Sequence, residues 1–306
     1  MGERVGVDFL RGIVMRAPNA IETKAKAKAF YVESWGLRVL EETDELVLFR
    51  GSGPEQFVYG LKRSDSYGID YINLGVSSSQ RVDLMFDRLV RDGVRLLGRP
   101  GPVTTPGGGY GFELLDPDNR RVRIVADVAR HLDAADEIDR PRAVTHVVLN
   151  TPQLQRLQAF YVDRLGFRVS DFSANQMVFL RCGSDHHAIA LNHGDYPSVN
   201  HVAFEMSSID AFMRGIGRMK AKGQAPAWGP GRHGPGNNPF GYFVSPSGFV
   251  IEFTCEVQQI DEATHEPQVW PRNVPEKMDV WMTAGPPTPA MRTVMAGRPD
   301  AGQPLP

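Results

Sequence analysis

The chain has little cysteine. Two occur in 306 residues, Cys182 and Cys255, too few and too far apart for a zinc motif or a disulfide framework, so both read as buried thiols. It has no excess of either charge: 34 Lys and Arg stand against 36 Asp and Glu, giving a formal net charge of −2 and a pI near 6.5. No cluster of Lys and Arg interleaves with aromatic residues as a nucleic-acid groove requires, which argues against a nucleic-acid partner. Apolar runs of membrane-spanning length are missing too. The opening "MGERVGVDFLRGIVMRAPNA" lacks the basic start, apolar stretch and small-residue cleavage site of a signal peptide. A cytoplasmic protein without a membrane partner is the expectation. What the chain does have is an apolar fraction of 42%, enough for the core of two ordinary domains or one large one.

The chain repeats itself. "AFYVESWGLRVLEET" from residue 29 returns as "AFYVDRLGFRVSDFS" from residue 159, and "LLDPDNRRVRIVADV" from residue 114 nearly superposes on "VSPSGFVIEFTCEV" from residue 244. Both pairs have nearly the same offset, so the chain is a tandem duplication. Each half divides again. "GIVMRAPN", "YINLGVSS", "HVVLNTPQ" and "HVAFEMSS" are β-rich starts. Each leads into an amphipathic helix, beginning at Ile21, Gln80, Leu154 and Ile209. All four helical stretches run to a glycine, the residue that favours the left-handed conformation past a helix end. The predicted fold is therefore α+β, with four tandem βαβββ modules in two half-barrel-like domains. The expected divisions are 1–135, 136–262 and a tail at 263–306. The stretch "ARHLDAADEIDRPRA" reads as the linker between the halves, and the Pro/Gly-rich tail reads as a segment wrapped on the surface or partly disordered.

In the second half, both module-opening strands carry histidine at the same place: "THVVLNT" contains His146 and "NHVAFEM" contains His201. Glu252 in "GFVIEFTC" faces away from Phe249, Ile251 and Phe253 on its strand. Taken singly, a strand histidine is more often a hydrogen-bonded core residue and a strand glutamate usually faces water. Together, two histidines at equivalent positions and one carboxylate make the 2-His-1-carboxylate set that suits non-haem Fe(II) and leaves coordination positions open. The first half is an internal control. Gly12, Tyr71 and Arg123 stand at the corresponding positions, and none is a useful ligand for divalent iron. Only the second half is expected to hold a metal.

With these residues the chain resembles the type I extradiol ring-cleaving dioxygenases of the vicinal oxygen chelate superfamily, over roughly residues 5 to 262. The resemblance implies iron ligands at His146, His201 and Glu252, with Fe(II) as the metal and Mn(II) also accepted. It places an acid-base histidine at His187 in "DHHAIAL", with His186 as its competitor because adjacent strand residues face opposite ways. It also places the loop histidine of "GRH" at His233 and a substrate-facing tyrosine at Tyr242. A catecholic small molecule and O2 are the implied partners, a hydroxymuconic semialdehyde the implied product, and a homo-oligomer the implied assembly. Two departures stand out. Relatives that accept carboxylated catechols carry an arginine directly before "GPGRH", where this chain has Trp228, which favours neutral substrates. The loop between His187 and His201 is one residue shorter than in biphenyl-type relatives.

A shared cavity for Tyr242 and Glu252 requires them to face each other across the hairpin at "SPSG". Val244 then lies opposite Val250, residues 245–249 form an odd-length loop, and Gly248 takes positive φ. Two rival readings accompany the dioxygenase. One is a lyase or isomerase of the same superfamily using zinc, manganese or nickel. The other is a non-catalytic protein that binds an aromatic drug.

Overall fold

The computed structural model describes residues 5–18, 24–300 and 302. The first half contains β1 (Phe9–Ala17), α1 (Lys24–Lys28), β2 (Arg38–Glu42), β3 (Leu46–Arg50), β4 (Tyr59–Arg63), β5 (Gly68–Gly75), α2 (Ser79–Arg91), β6 (Gly101–Pro102), β7 (Tyr110–Leu115) and β8 (Arg121–Ala126). The second half repeats it with β9 (Ala143–Thr151), α3 (Leu154–Ala159), β10 (Arg168–Ser173), β11 (Met177–Arg181), β12 (Ile189–His193), β13 (Ser198–Glu205), α4 (Ile209–Ala221), β14 (Trp228–Arg232), β15 (Pro239–Val244) and β16 (Val250–Thr254). Four βαβββ modules result, as the repeats anticipate. The expected start of the first helix, at Ile21, lies outside the described residues. The tail adds β17 (Gln268–Trp270), α5 (Pro275–Met278) and α6 (Pro289–Met295).

The helices start and stop for local reasons. Ser78 and Ser208 accept hydrogen bonds through their hydroxyls from Arg81 N and Ala211 N, capping α2 and α4. Val82, Met85 and Leu89 on α2, and Phe212, Ile216 and Met219 on α4, recur at helical spacing and are buried. Past the helical segments, Gly36, Gly93, Gly166 and Gly223 all adopt positive φ. The first and third helices widen into π turns, Ala29–Ser34 and Phe160–Arg164, marked by the bonds Trp35 N→Phe30 O and Leu165 N→Phe160 O.

Each half forms one curved sheet. The order is β2-β3-β4-β1-β5-β8-β7-β6 in the first and β14-β15-β16-β13-β9-β12-β11-β10-β17 in the second. In both, the two module-opening strands pair antiparallel at the centre, and each takes the last strand of its module as a parallel neighbour. This places β9, β13 and β16 side by side. The two sheets share one hydrophobic cluster. Trp35, after the π turn of the first half, is fully buried and stacks on Phe253 of β16 at 3.6 Å between ring centroids. It also meets Phe204 and Phe243 edge-on, contacts worth about 0.5–1.5 kcal/mol each beyond area burial.

A second tie between the halves is polar. Arg120, in the turn before β8, is 0% exposed. It bonds Asp118 Oδ2 at 2.8 Å, faces Asp116 Oδ2 at 3.6 Å and donates to the carbonyls of Asn150 and Ser198 in the second sheet. Burial pushes the Asp116 carboxyl up to about 6 despite this cation. Removing the guanidinium would strand two buried carboxylates. Arg120→Ala should lower unfolding free energy in urea by about 3–5 kcal/mol; a loss under about 1 kcal/mol would show that the cluster does not hold the halves together.

Candidate metal centre and its cavity

The register of the second sheet brings the three candidate ligands together. Ala203 of β13 pairs with His146 on one side and with Glu252 on the other, and His201 pairs with Val148. His146, His201 and Glu252 are 2%, 5% and 0% exposed, and their nearest donor atoms all lie within 4.8 Å of one another. Both imidazoles aim Nε2 at the same atom: Glu252 Oε2 is 3.2 Å from His146 Nε2 and 3.1 Å from His201 Nε2.

The surroundings of His201 test whether this contact suits a metal. Its Nδ1 lies 2.8 Å from Asn200 Oδ1, so Nδ1 carries the proton and donates it. The Asn200 amide is held in that orientation because its Nδ2 donates to Asn150 Oδ1 at 3.1 Å. His201 Nε2 therefore presents a lone pair to a carboxylate oxygen. A second proton on His201 would relieve this contact, yet burial lowers the His201 pKa below its ordinary value even with Glu252 beside it. Burial pushes the Glu252 pKa up, but the neighbouring imidazoles outweigh it and hold the carboxylate below its usual range. Its Oε1 is buried without a hydrogen-bond partner. Two neutral nitrogens and one anionic oxygen converging in this way fit a divalent cation.

The corresponding place in the first half is dismantled. Gly12 approaches the backbone so closely that a Cβ there would lie 2.3 Å from Val58 O. Arg123 covers the Tyr71 ring at 3.9 Å and bonds Glu113 Oε1 at 3.0 and 2.8 Å. A glycine, and an arginine paired with Glu113 over the Tyr71 ring, offer no ligand set here.

The other candidates surround the metal centre. A cavity of about 480 Å³ is lined by His146, His201, His187, His233 and Tyr242. Tyr242 pairs with Glu252 and Val244 with Val250 across the hairpin, and Gly248 has φ +81°. The Tyr242 hydroxyl lies 2.9 Å from His233 Nε2. Burial, then the charge of Glu252, raises the Tyr242 pKa well above its ordinary value, so the phenol keeps its proton. Burial lowers His233 to about 4 and His187 well below its ordinary value. His187 stacks obliquely on His146 at 4.2 Å. Trp228 stacks on Tyr242 at 5.0 Å and donates Nε1–H to Gly285 O, so an indole forms the wall where an arginine might have met an acid.

Two features escape the sequence reading. His186 was expected to point away from His187, but the rings meet, with the Nδ1 atoms 3.0 Å apart. The alternation rule fails because residues 182–188 lie between β11 and β12 and do not form a regular strand. The tail, moreover, is part of the site. β17 pairs with β10, Trp270, Met278 and Met295 line the cavity, and the exposed Arg272, Lys277 and Arg292 stand at its outer edge. The tail is pinned by Asp279, which accepts from Arg232 N, Trp281 N and Ala284 N. It is pinned again by Asp300, which bonds Arg16 at 2.7 Å and Ile69 N at 3.0 Å in the first half.

Residues 143–253 match the Glyoxalase/Bleomycin resistance protein/Dioxygenase superfamily. The chain is 34% identical over 184 residues to metapyrocatechase 2 of Cupriavidus necator, a match covering 59% of this chain but only 54% of that protein, about half its length. It is 28% identical over 268 residues to the biphenyl-2,3-diol 1,2-dioxygenase of Paraburkholderia xenovorans, covering 80% of this chain and 87% of the relative. The solved structure of a Mn(II)-bound glyoxalase from Novosphingobium aromaticivorans superposes with a TM-score of 0.85 at 37% identity, covering 98% of this chain and 96% of that one.

Three histidines with lowered pKa values, His187 and His201 buried and His233 partly exposed, make the metal-free protein sensitive to acid. His187, His201 and His233 stay neutral in the fold below the pH at which an unfolded histidine, near 6.5, takes up a proton. The unfolded state then binds more protons, so stability rises with pH. Asp116, raised to about 6, acts in the opposite direction, but it is one group against three. The urea midpoint of metal-free protein should fall between pH 7.5 and pH 6, and less so in His233→Gln. A level or rising midpoint would contradict the neutral histidines.

Proposed function

The chain belongs to the glyoxalase/bleomycin resistance protein/dioxygenase superfamily, and we propose that within it this protein is an extradiol ring-cleaving dioxygenase, opening a catecholic ring with O2 at a mononuclear non-haem Fe(II) centre. One observation carries the reading. Among the described residues the metal centre has two histidines and one carboxylate and no fourth His, Cys, Asp or Glu ligand, while its open side faces a cavity lined by a proton acceptor and a phenol donor. Three protein ligands leave room for a chelating diol and O2 together. A divalent iron held there supplies the acidity that ionises a bound catechol and brings O2 and the ring into contact. The same donor set accepts Mn(II).

The protein's own side chains do the rest. His187, neutral and buried against His146, takes the catechol proton and returns it later in the cycle, the work of a general acid-base. Tyr242, its hydroxyl held by His233 Nε2 at 2.9 Å, presents its phenol oxygen to the cavity beside the centre and orients a bound diol there. Val148, Phe179 and the tail residues Trp270 and Met295 shield the reaction from water, and the cavity is large enough for a substituted ring.

A lyase or isomerase reading has one observation in its favour, the 37% identity to a protein described as a glyoxalase. Oxygen uptake separates the two. After anaerobic iron loading, a panel of catechols should consume O2 and give a yellow ring-opened product; isomerase activity without O2 uptake would favour the rival. The buried free thiols Cys182 and Cys255 support a cytoplasmic setting. The exposed apolar Val269, Val280, Trp281 and Met282 support a homo-oligomer.

His187→Phe should still bind iron and catechol but turn over about 10²-fold or more slowly; normal turnover would remove His187 from the mechanism. Substrate preference follows from Trp228. A short acid side chain would meet the Trp228 indole beside Tyr242, while the lining cations Arg272, Lys277 and Arg292 are exposed to solvent. Neutral alkyl or aryl catechols should exceed short-chain acidic ones in kcat/KM, and the reverse order would show that a cation reaches inward.

A further inference from the structure

We propose that His186 and Asp171 are positioning residues that set the tautomer of His187, so that an unprotonated Nε2 faces the cavity. The chain of hydrogen bonds runs inward from the tail. Asp171 is 3% exposed and accepts from Gln268 N at 2.8 Å through Oδ1 and from Trp270 Nε1 at 2.7 Å through Oδ2. Both donors belong to β17 and neither can act as an acceptor, so the carboxylate is oriented by the tail independently of any histidine. Its pKa is held below the usual range, because the bonds from His186, Gln268 and Trp270 outweigh its burial. Asp171 is then acceptor-only.

His186, fully buried, places Nε2 3.0 Å from Asp171 Oδ2. Nε2 must donate there, and a ring carrying that single hydrogen keeps its lone pair on Nδ1. That lone pair faces His187 Nδ1 at 3.0 Å, so His187 Nδ1 must carry the hydrogen and its Nε2 must be bare. A carboxylate thus fixes the proton positions of two rings in succession, and the second ring lines the cavity beside His146.

The surrounding backbone is built for this pair. His186 N donates to Gln258 O and Gln258 N donates to Gly236 O. Gly236 has φ +75°, and a Cβ there would lie 3.1 Å from His186 Nδ1 and 3.2 Å from His187 Cε1. A glycine at this turn lets the loop close over both rings.

The inference rests on the ring-cleavage reading for its kinetic arm only. The direct test is the long-range ¹H–¹⁵N ring spectrum of the full chain loaded with diamagnetic Zn(II). His187 should show a protonated Nδ1 and a bare Nε2. Asp171→Leu keeps a comparable side-chain size but removes the acceptor, so nothing then requires the hydrogen on His186 Nε2 or on His187 Nδ1. His187 should then lose the Nδ1–H signature, and the iron-loaded variant should lose at least about tenfold in kcat, with KM and metal content near those of the parent, as a wrong tautomer does elsewhere. Asp171→Glu, still an acceptor, should restore the parent spectrum and part of kcat. A parent spectrum with the hydrogen on Nε2, or an Asp171→Leu protein with spectrum and kcat unchanged, would overturn the proposal. Were no catechol cleaved by any of these proteins, the spectra would still decide the tautomer.

Discussion

Everything at the site depends on one electrostatic conflict, the lone pair of His201 Nε2 facing Glu252 Oε2 at 3.1 Å in a buried place that His146 Nε2 also enters, 3.2 Å from the same oxygen. The Asn200 amide prevents His201 from turning its N–H toward the carboxylate, and burial discourages a second proton. A divalent cation resolves this conflict with the donors already in place. The order β16-β13-β9 is what creates it, because three neighbouring strands in register each contribute one ligand.

The duplication explains why the described residues contain one such candidate centre. The first sheet has the same strand order, yet close backbone approach at Gly12 and the Arg123–Glu113 pair over Tyr71 leave it without ligands. Its contribution is mechanical. Trp35 enters the aromatic cluster behind Glu252 through Phe253, and Arg120 grips the carbonyls of Asn150 and Ser198. Asn150 is in turn a junction. Its side chain meets Asn200, Asn192, Ser198 and the tail carbonyls of Met295 and Ala296. The first half, the candidate ligand His201 and the tail therefore share one hydrogen-bonded frame.

The local parts of this arrangement were legible in the sequence. Period and glycine stops gave four βαβββ modules, the repeated strand histidines with Glu252 gave a candidate ligand set that the fold brings together, and the facing requirement gave the Tyr242–Glu252 register. The illegible parts are those made by contacts between distant residues. Asp171 and Trp270 are 99 residues apart, and nothing in "DFS" or "PQVW" signals that they meet. His186 was misread because strand alternation was applied to residues that are not in a strand. The tail has too much proline and glycine for any periodicity, and its order comes from buried aspartates, Asp279 and Asp300, which satisfy backbone N–H groups and a guanidinium. Such anchors leave no pattern in a sequence.

The measurement that bears most directly on the account is the fate of ¹⁸O2 in a single turnover of the iron-loaded protein with a neutral catechol. The account predicts that both labelled atoms appear in a ring-opened product cleaved beside the diol, since the metal centre has open positions for both reactants and His187 is beside them. A product lacking label, or a catechol left intact while O2 is unconsumed, would contradict it.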